Sequence, residues 1–265
     1  MAEPKDELVI PAHWDRTSWE EKAKENPLFA VMTTANYARS DPQTFSAEEL
    51  EFFFDKGRRV WRNIIKPRVS LAKTGAADPF IVEYGCGMGR ILKAIVEDGG
   101  RAGGIDISPT MLDHCRRLVP KVADRVYLLD GGGRSAMPSA CGDVVFSFAV
   151  MKHIASLKAY DAALDEIMRV MKPGAALILN VNCQDFISGS FDAPGRTINH
   201  EKKSEHFRFG ETRPYKIRQY TNWSGVYIGY DRLVERLSSG GLEILERFHH
   251  TLKKPQGLWV VARRK

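Results

Sequence analysis

Residues 80–90 read Phe80-Ile81-Val82-Glu83-Tyr84-Gly85-Cys86-Gly87-Met88-Gly89-Arg90, an apolar run that breaks into a glycine-rich turn and then into helical sequence. Alternate glycines let a backbone turn tightly and approach a ligand with no Cβ in the way, and the free N–H groups of a helix start favour an anionic group. Dinucleotide-binding folds use a related turn, but their fingerprint needs its third glycine one place later than GxGxG followed by Arg90. The stretch therefore predicts the first strand, the ligand loop and the first helix of an α/β sheet.

Working outward, strand-like and helical runs alternate. FIVEY precedes a helix to about Glu97; AGGID precedes a helix opening at Ser108-Pro109, an N-cap with proline at the first helical position. RVYLL, DVVFSFAV, a helix ending near Met171 and AALILNV follow. Such alternation specifies a parallel sheet with crossover helices. Near the C-terminus a helix from about Asp231 to Ser239 leads to LEILERF and GLWVVARR, joined by too few residues for a parallel return, so the sheet is expected to end in an antiparallel hairpin. Residues 1–76 read as a helical extension. Ser18 with Glu21 and Ser46 with Glu49 form two capping boxes, Phe45 and Leu50 a hydrophobic staple, and Leu50, Phe53, Phe54, Val60, Trp61, Ile64 and Ile65 one apolar helix face that stops or kinks near Pro67. Residues 77–265 form the α/β domain. Within it 183–229 matches neither period and reads as a functional insertion on the substrate side.

The 265 residues, 43% hydrophobic and 27% charged, fit one decorated globular domain. The start, MAEPKDELVIPAHW, lacks a secretory signal pattern, and no run reaches the ~18 apolar residues of a membrane span, so a cytoplasmic protein is expected. Cys86, Cys115, Cys141 and Cys183 form no CxxC pair, which argues against a disulfide framework and against a metal site. The net charge of +6 is modest and spread out, part of it in Arg263, Arg264 and Lys265, which argues against a nucleic-acid track.

Two carboxylates end the next strands. Asp106, in GGIDISP, is placed to accept both hydroxyls of a ribose, the alternative being a helix-capping or surface Asp. Ile107 and Met111 would flank an adenine, or serve as core. Asp130, in LLDG, suits an adenine amino group with Gly131 supplying a backbone N–H, the alternative being a plain Asx turn.

Taken in order, EYGCGMGR, GIDISPTML, YLLDG, DVVFSFAVMKHI and EIMRVMKPGAALIL resemble the successive motifs of class I S-adenosylmethionine-dependent methyltransferases, over roughly residues 78–182. The resemblance implies a Rossmann-like seven-stranded sheet, order 3-2-1-4-5-7-6 with strand 7 antiparallel and helices on both faces. It implies S-adenosylmethionine as cofactor, bound by the loop Glu83, Gly85, Cys86, Gly87 and Gly89. Glu83, Gly85, Gly87, Phe148 and Ala149 would lie near the methionyl portion, Asp106 at the ribose, and Asp130 with Gly131 at the adenine. Glu83 stands where many relatives have Asp.

The acceptor is less legible. Ser147-Phe148-Ala149-Val150 stands where amino-methylating relatives that act on nucleobases or glutamine carry (N/D)PP(Y/F), and no Pro-Cys motif lies on that loop. A small-molecule acceptor is expected; the alternatives are an RNA or protein methyltransferase, or a cofactor-binding scaffold without turnover. His153, past the fourth strand, could take a proton from the acceptor, or could simply pack. The insertion interleaves aromatics with cations, and Arg213, Tyr215 and Trp223 are its candidates for acceptor contact, although a small satellite core would use the same residue types.

Overall fold

The computed structural model describes residues 16–32, 44–154, 156–183, 215–220, 223–248, 251–252, 254–255 and 257–265. Its centre is a seven-stranded sheet of β1 (Phe80–Tyr84), β2 (Arg101–Asp106), β3 (Val126–Leu128), β4 (Gly142–Ser147), β5 (Met171–Val181), β8 (Leu242–Phe248) and β11 (Leu258–Arg264). A separate antiparallel hairpin joins β6 (Tyr215–Tyr220) to β7 (Trp223–Ile228), and β9 (Thr251–Leu252) pairs with β10 (Lys254–Pro255). The sheet order is β3-β2-β1-β4-β5-β11-β8. Counting only its own strands this is 3-2-1-4-5-7-6, with β11 antiparallel to both neighbours, as the sequence motifs implied.

Period-2 alternation sends neighbouring side chains to opposite faces. Ile81, Val144, Phe146, Ile178 and Val261 enter one core. Val82, Val145, Leu177, Leu179 and Val260 enter the other. Helices α3 (Ala47–Val60) and α4 (Arg90–Glu97) cover the first face, while α6 (Leu157–Val170) and α7 (Tyr230–Ser239) supply Ile167, Leu233 and Leu237 to the second. Burial on both sides explains why β1 is apolar at every position but Glu83.

Helix α3 has the predicted capping box: Glu49 N–H donates to Ser46 Oγ at 3.1 Å and Ser46 N–H to Glu49 Oε2 at 2.8 Å. Phe45 and Leu50 both pack against the core. Its apolar face buries Phe53 and Phe54, and the chain continues through a π turn (Trp61–Ile65) into a 3₁₀ turn (Lys66–Leu71) that contains Pro67. The expected kink is thus spread over two turns, the first of which buries Trp61, Ile64 and Ile65. The capping box at Ser18 is corrected. Helix α1 (Arg16–Glu25) starts two residues earlier, and Ser18 Oγ accepts instead from Lys22 Nζ at 2.9 Å. A short α2 (Pro27–Val31) follows.

Helix α5 (Pro109–Leu118) opens as read, with Ser108 Oγ accepting from Met111 N–H at 3.1 Å. Of the insertion, β7 is docked on the domain: Val226 N–H donates to the Ile154 carbonyl at 2.9 Å and Ile228 N–H to the Asn182 carbonyl at 3.0 Å. Val226 and Ile228 are fully buried in the second core, so this part of the segment is core. No helix among the described residues is long and apolar enough to cross a membrane.

Candidate functional site

The sequence candidates from β1, β2, β3 and β4 meet at the C-terminal ends of those strands. Gly85, Gly87 and Gly89 all adopt positive φ (78°, 50° and 79°), the left-handed region where glycine carries no Cβ penalty. A Cβ at Gly85 would sit 2.2 Å from Val150 Cγ2, so the β1 turn and the turn after β4 touch at a point only a hydrogen fits. Cys86 is buried inside the loop, its thiol hydrogen-bonded to Cys115 and pushed well above its ordinary pKa by that bond and by burial. It is a packing residue of the loop and not a reactive thiol.

Asp106 ties the strand ends together. Its Oδ2 accepts from Gly87 N–H at 2.7 Å and its Oδ1 from Ser108 N–H at 3.0 Å. Its backbone carbonyl accepts from Leu129 N–H at 2.8 Å, at the end of β3. Burial raises the Asp106 pKa, with the backbone hydrogen bonds opposing the shift. Ile107 is half-buried beside it, and Met111, 2% exposed, belongs to the core under α5. Asp130 and Gly131 are exposed; Asp130 Oδ1 accepts from Gly132 N–H and Arg134 N–H, both at 2.8 Å, which hold its pKa below the ordinary range. The Asx turn is therefore formed, and Asp130 Oδ2 takes no part in it.

Glu83 points into the first core face at the mouth of the loop. It is 4% exposed, its Oε2 has no hydrogen-bond partner, and burial pushes its pKa well above the carboxylate range against the pull of the Arg90 charge. A buried carboxylate oxygen without a donor is costly in a native fold, and an incoming ammonium would supply the missing one.

After β4, Phe148 stacks on Trp259 (ring centroids 5.4 Å apart, planes 11° apart), which stacks in turn on Phe248. Arg90 lies over the Phe148 ring at 5.5 Å and Arg68 over Phe248 at 3.8 Å, closing a column of three rings between two guanidinium groups. Ala149 holds φ at 63°, a strained value for a residue with a Cβ. His153, in the 3₁₀ turn Met151–His153, meets Trp19 of α1 edge-on with centroids 5.7 Å apart. Burial, then the charges of Lys152 and Lys22, lower its pKa to about 3. Of the two sequence readings of His153, proton acceptor or packing residue, a value this low weakens the first.

Several residues of the site escaped the sequence. Glu20 of α1 reaches the start of α5, accepting from Ser108 Oγ at 2.6 Å and Thr110 Oγ1 at 2.5 Å. Burial opposes its ionisation, but the hydrogen bonds from Ser108 and Thr110 prevail and lower its pKa. A Cβ at Gly87 would meet Val31 Cγ2 of α2 at 3.6 Å, so the N-terminal helices lie over the loop. Among the insertion candidates, Arg213 lies outside the described residues, and Tyr215 and Trp223 are placed by backbone register, opposite Ile228 and Tyr220. The described residues hold no cluster of three metal-ligating side chains.

Residues 82–179 match a family model described as a methyltransferase domain. A malonyl-[acyl-carrier protein] O-methyltransferase of Serratia marcescens is 32% identical over 100 residues, 38% of this chain and 37% of that protein. An S-adenosyl-L-methionine-dependent Diels-Alderase of Talaromyces variabilis is 31% identical over 104 residues, 37% of this chain and 35% of that protein. The alignments thus span little more than a third of the curated relatives. Among solved structures, an amino pentose methyltransferase of Micromonospora echinaspora with S-adenosylmethionine bound superposes with a TM-score of 0.54 at 18% identity, covering 84% of this chain and 98% of that one, a likeness of fold. Sheet order, loop and strand-end acids define a Rossmann-like methyltransferase fold. Residues 82–179 carry a methyltransferase domain, and the fold around it is similar to that of S-adenosylmethionine-dependent methyltransferases.

Proposed function

We propose that this chain transfers a methyl group from S-adenosylmethionine to a small-molecule acceptor in the cytosol. The observation that carries the cofactor half is the buried, partnerless Glu83 Oε2 at a glycine loop whose N–H is held by Asp106. Glu83, Gly85, Gly87 and the Phe148–Ala149 turn would hold the methionyl portion, Asp106 the ribose, and Asp130 with Gly131 the adenine. When bound, the cofactor supplies an electrophilic methyl carbon whose bond to sulfur breaks as the acceptor's lone pair forms the new one, leaving S-adenosylhomocysteine.

The chain's own contribution is alignment. Loop, Asp106 and the Val150 contact would fix the donor side, while α1 and the 3₁₀ turn at His153 would cover the acceptor side and limit water. With its pKa near 3, His153 stays neutral at physiological pH and serves to pack or accept a hydrogen bond, so the acceptor's proton leaves to solvent or another group. Support for a small acceptor comes from the missing (N/D)PP(Y/F) tetrapeptide after β4 and from relatives named for acyl and sugar acceptors. A second reading, cofactor binding without methyl transfer, draws support from the Diels-Alderase among the relatives.

Calorimetry with S-adenosylmethionine, followed by mass spectrometry for S-adenosylhomocysteine across small acids, amines, sugars, RNA and peptides, separates these readings. Product with a small metabolite is expected. Binding without product in any class would favour the second reading, and absence of binding would overturn both.

A further inference from the structure

Helix α1 meets the strand ends through the first turn of α5. Glu20 Oε2 accepts there from Ser108 Oγ at 2.6 Å and from Thr110 N–H at 3.2 Å, and Glu20 Oε1 accepts from Thr110 Oγ1 at 2.5 Å. Ser108 is fully buried, its N–H donating to Asp106 Oδ1 at 3.0 Å and its Oγ accepting from Met111 N–H at 3.1 Å. A path of hydrogen bonds thus runs from α1 through one residue to the carboxylate assigned to the ribose. Gly87 N–H and Ser108 N–H each fix one Asp106 oxygen, so the position of the Ser108 peptide sets the direction in which Asp106 presents its remaining lone pairs. A hydroxyl has one proton, and giving it to Glu20 turns the Ser108 Oγ lone pairs toward Met111 N–H, which locks the N-cap of α5. The Glu20 charge also lies at the positive end of that helix. Its ion-pair partner Lys24 is 67% exposed at 3.4 Å, so the bonds to α5 are the stronger hold.

We propose that Glu20 is a positioning residue for the cofactor's ribose: docked on Ser108 and Thr110, it holds Asp106 in the orientation that receives the ribose hydroxyls. Coupling between two sites is reciprocal, so a ribose on Asp106 in turn holds α1 against α5. This inference rests on the methyltransferase reading and deepens it by making the N-terminal helix part of the cofactor site. The same helices reach the other two elements of that site, Trp19 at His153 after β4 and Val31 beside Gly87, so a docked α1 is registered against all three strand ends.

The test uses the full-length protein and two ligands, S-adenosylhomocysteine and its dideoxyribose analogue, which differ only in the ribose hydroxyls. By calorimetry wild-type protein should prefer S-adenosylhomocysteine by about tenfold or more, the loss expected when hydrogen bonds to a carboxylate are removed. Glu20→Ala, a substitution that favours helix, should cut that preference about threefold or more, and Glu20→Gln, whose amide oxygen still accepts from α5, should restore most of it. A residue that only stabilised α1 would weaken both ligands alike and leave the ratio unchanged. Hydrogen exchange of α1 in wild-type protein should slow more with S-adenosylhomocysteine than with the analogue, and the difference should vanish in Glu20→Ala. If that variant does not fold, Glu20→Asp, one methylene shorter in reach, replaces it. An affinity ratio unchanged in the folded variant, or α1 exchange indifferent to the ribose hydroxyls, overturns the proposal alone. A wild-type ratio near one overturns the ribose assignment of Asp106 and the proposal with it. No binding of S-adenosylhomocysteine to wild-type protein overturns the cofactor reading itself, and with it this inference.

Discussion

Replacing Gly85 by alanine probes the contact on which the site geometry depends. The new methyl would lie 2.2 Å from Val150 Cγ2 and 2.9 Å from Cγ1, on a backbone at φ 78°. The left-handed conformation costs an L-residue about 1–2 kcal/mol, and forcing a methyl into filled space about 1–3 kcal/mol. Gly85→Ala is therefore expected to destabilise the domain by about 2–5 kcal/mol. Val150→Ala removes both offending carbons. In the double variant the steric share should return and the backbone share remain, a coupling of about 1–3 kcal/mol in a double-mutant cycle followed by urea denaturation. A loss below about 1 kcal/mol in the single variant, or strictly additive effects, would refute the contact between the β1 loop and the β4 turn.

Asp106→Ala should weaken S-adenosylmethionine binding by about 1.5–3 kcal/mol in calorimetry and, because Gly87 N–H loses its acceptor, lower stability by about 1–3 kcal/mol; unchanged affinity in folded protein would sink the ribose assignment. For His153 the folded pKa lies below the unfolded value, so the unfolded chain takes up the proton first. The stability that the neutral ring contributes is complete above about pH 6.5 and is lost as pH falls toward 3, by about 1–2 kcal/mol at pH 5. Denaturation at pH 7.5 and 5 should show that loss shrinking in His153→Gln, and the rate profile between pH 5 and 8 should lack an acidic limb from this residue; an equal loss in the variant would contradict the burial described. Glu20→Ala removes the hydrogen bonds from α1 to Ser108 and Thr110, and hydrogen exchange of α1 should quicken while that of β1 and β4 holds; unaltered protection would mean α1 is held by packing alone. Changing Arg213, Tyr215 or Trp223 to Ala should raise the acceptor's KM or lower turnover while leaving cofactor affinity within about threefold, ~0.7 kcal/mol; loss of cofactor binding would make the segment core.

What the sequence revealed follows from range. The turn after β1, the Ser108–Pro109 helix start and the strand alternation are local patterns whose physics is complete within ten residues, and each lies where the chain predicts it. The antiparallel end of the sheet was legible because a short connection forbids a parallel return. Glu20 on Ser108 joins residues 88 apart, and Trp19 on His153 still more, so no periodicity marks them. The Ser18 box failed because a favourable N-cap residue does not fix a helix start when the preceding residues also adopt helical geometry. The environment of His153 was not legible for a related reason: burial, ahead of the charges of Lys152 and Lys22, lowers its pKa, and part of that burial comes from α1, which the local sequence does not place beside it.

The central claim, that the ends of β1, β2 and β4 form an S-adenosylmethionine site, is tested most directly by a crystal structure with S-adenosylhomocysteine bound. The ligand's ammonium is expected at Glu83, its ribose hydroxyls at Asp106 and its sulfur facing the Phe148–Ala149 turn below α1. A ligand bound elsewhere, or these groups untouched by it, would contradict the account.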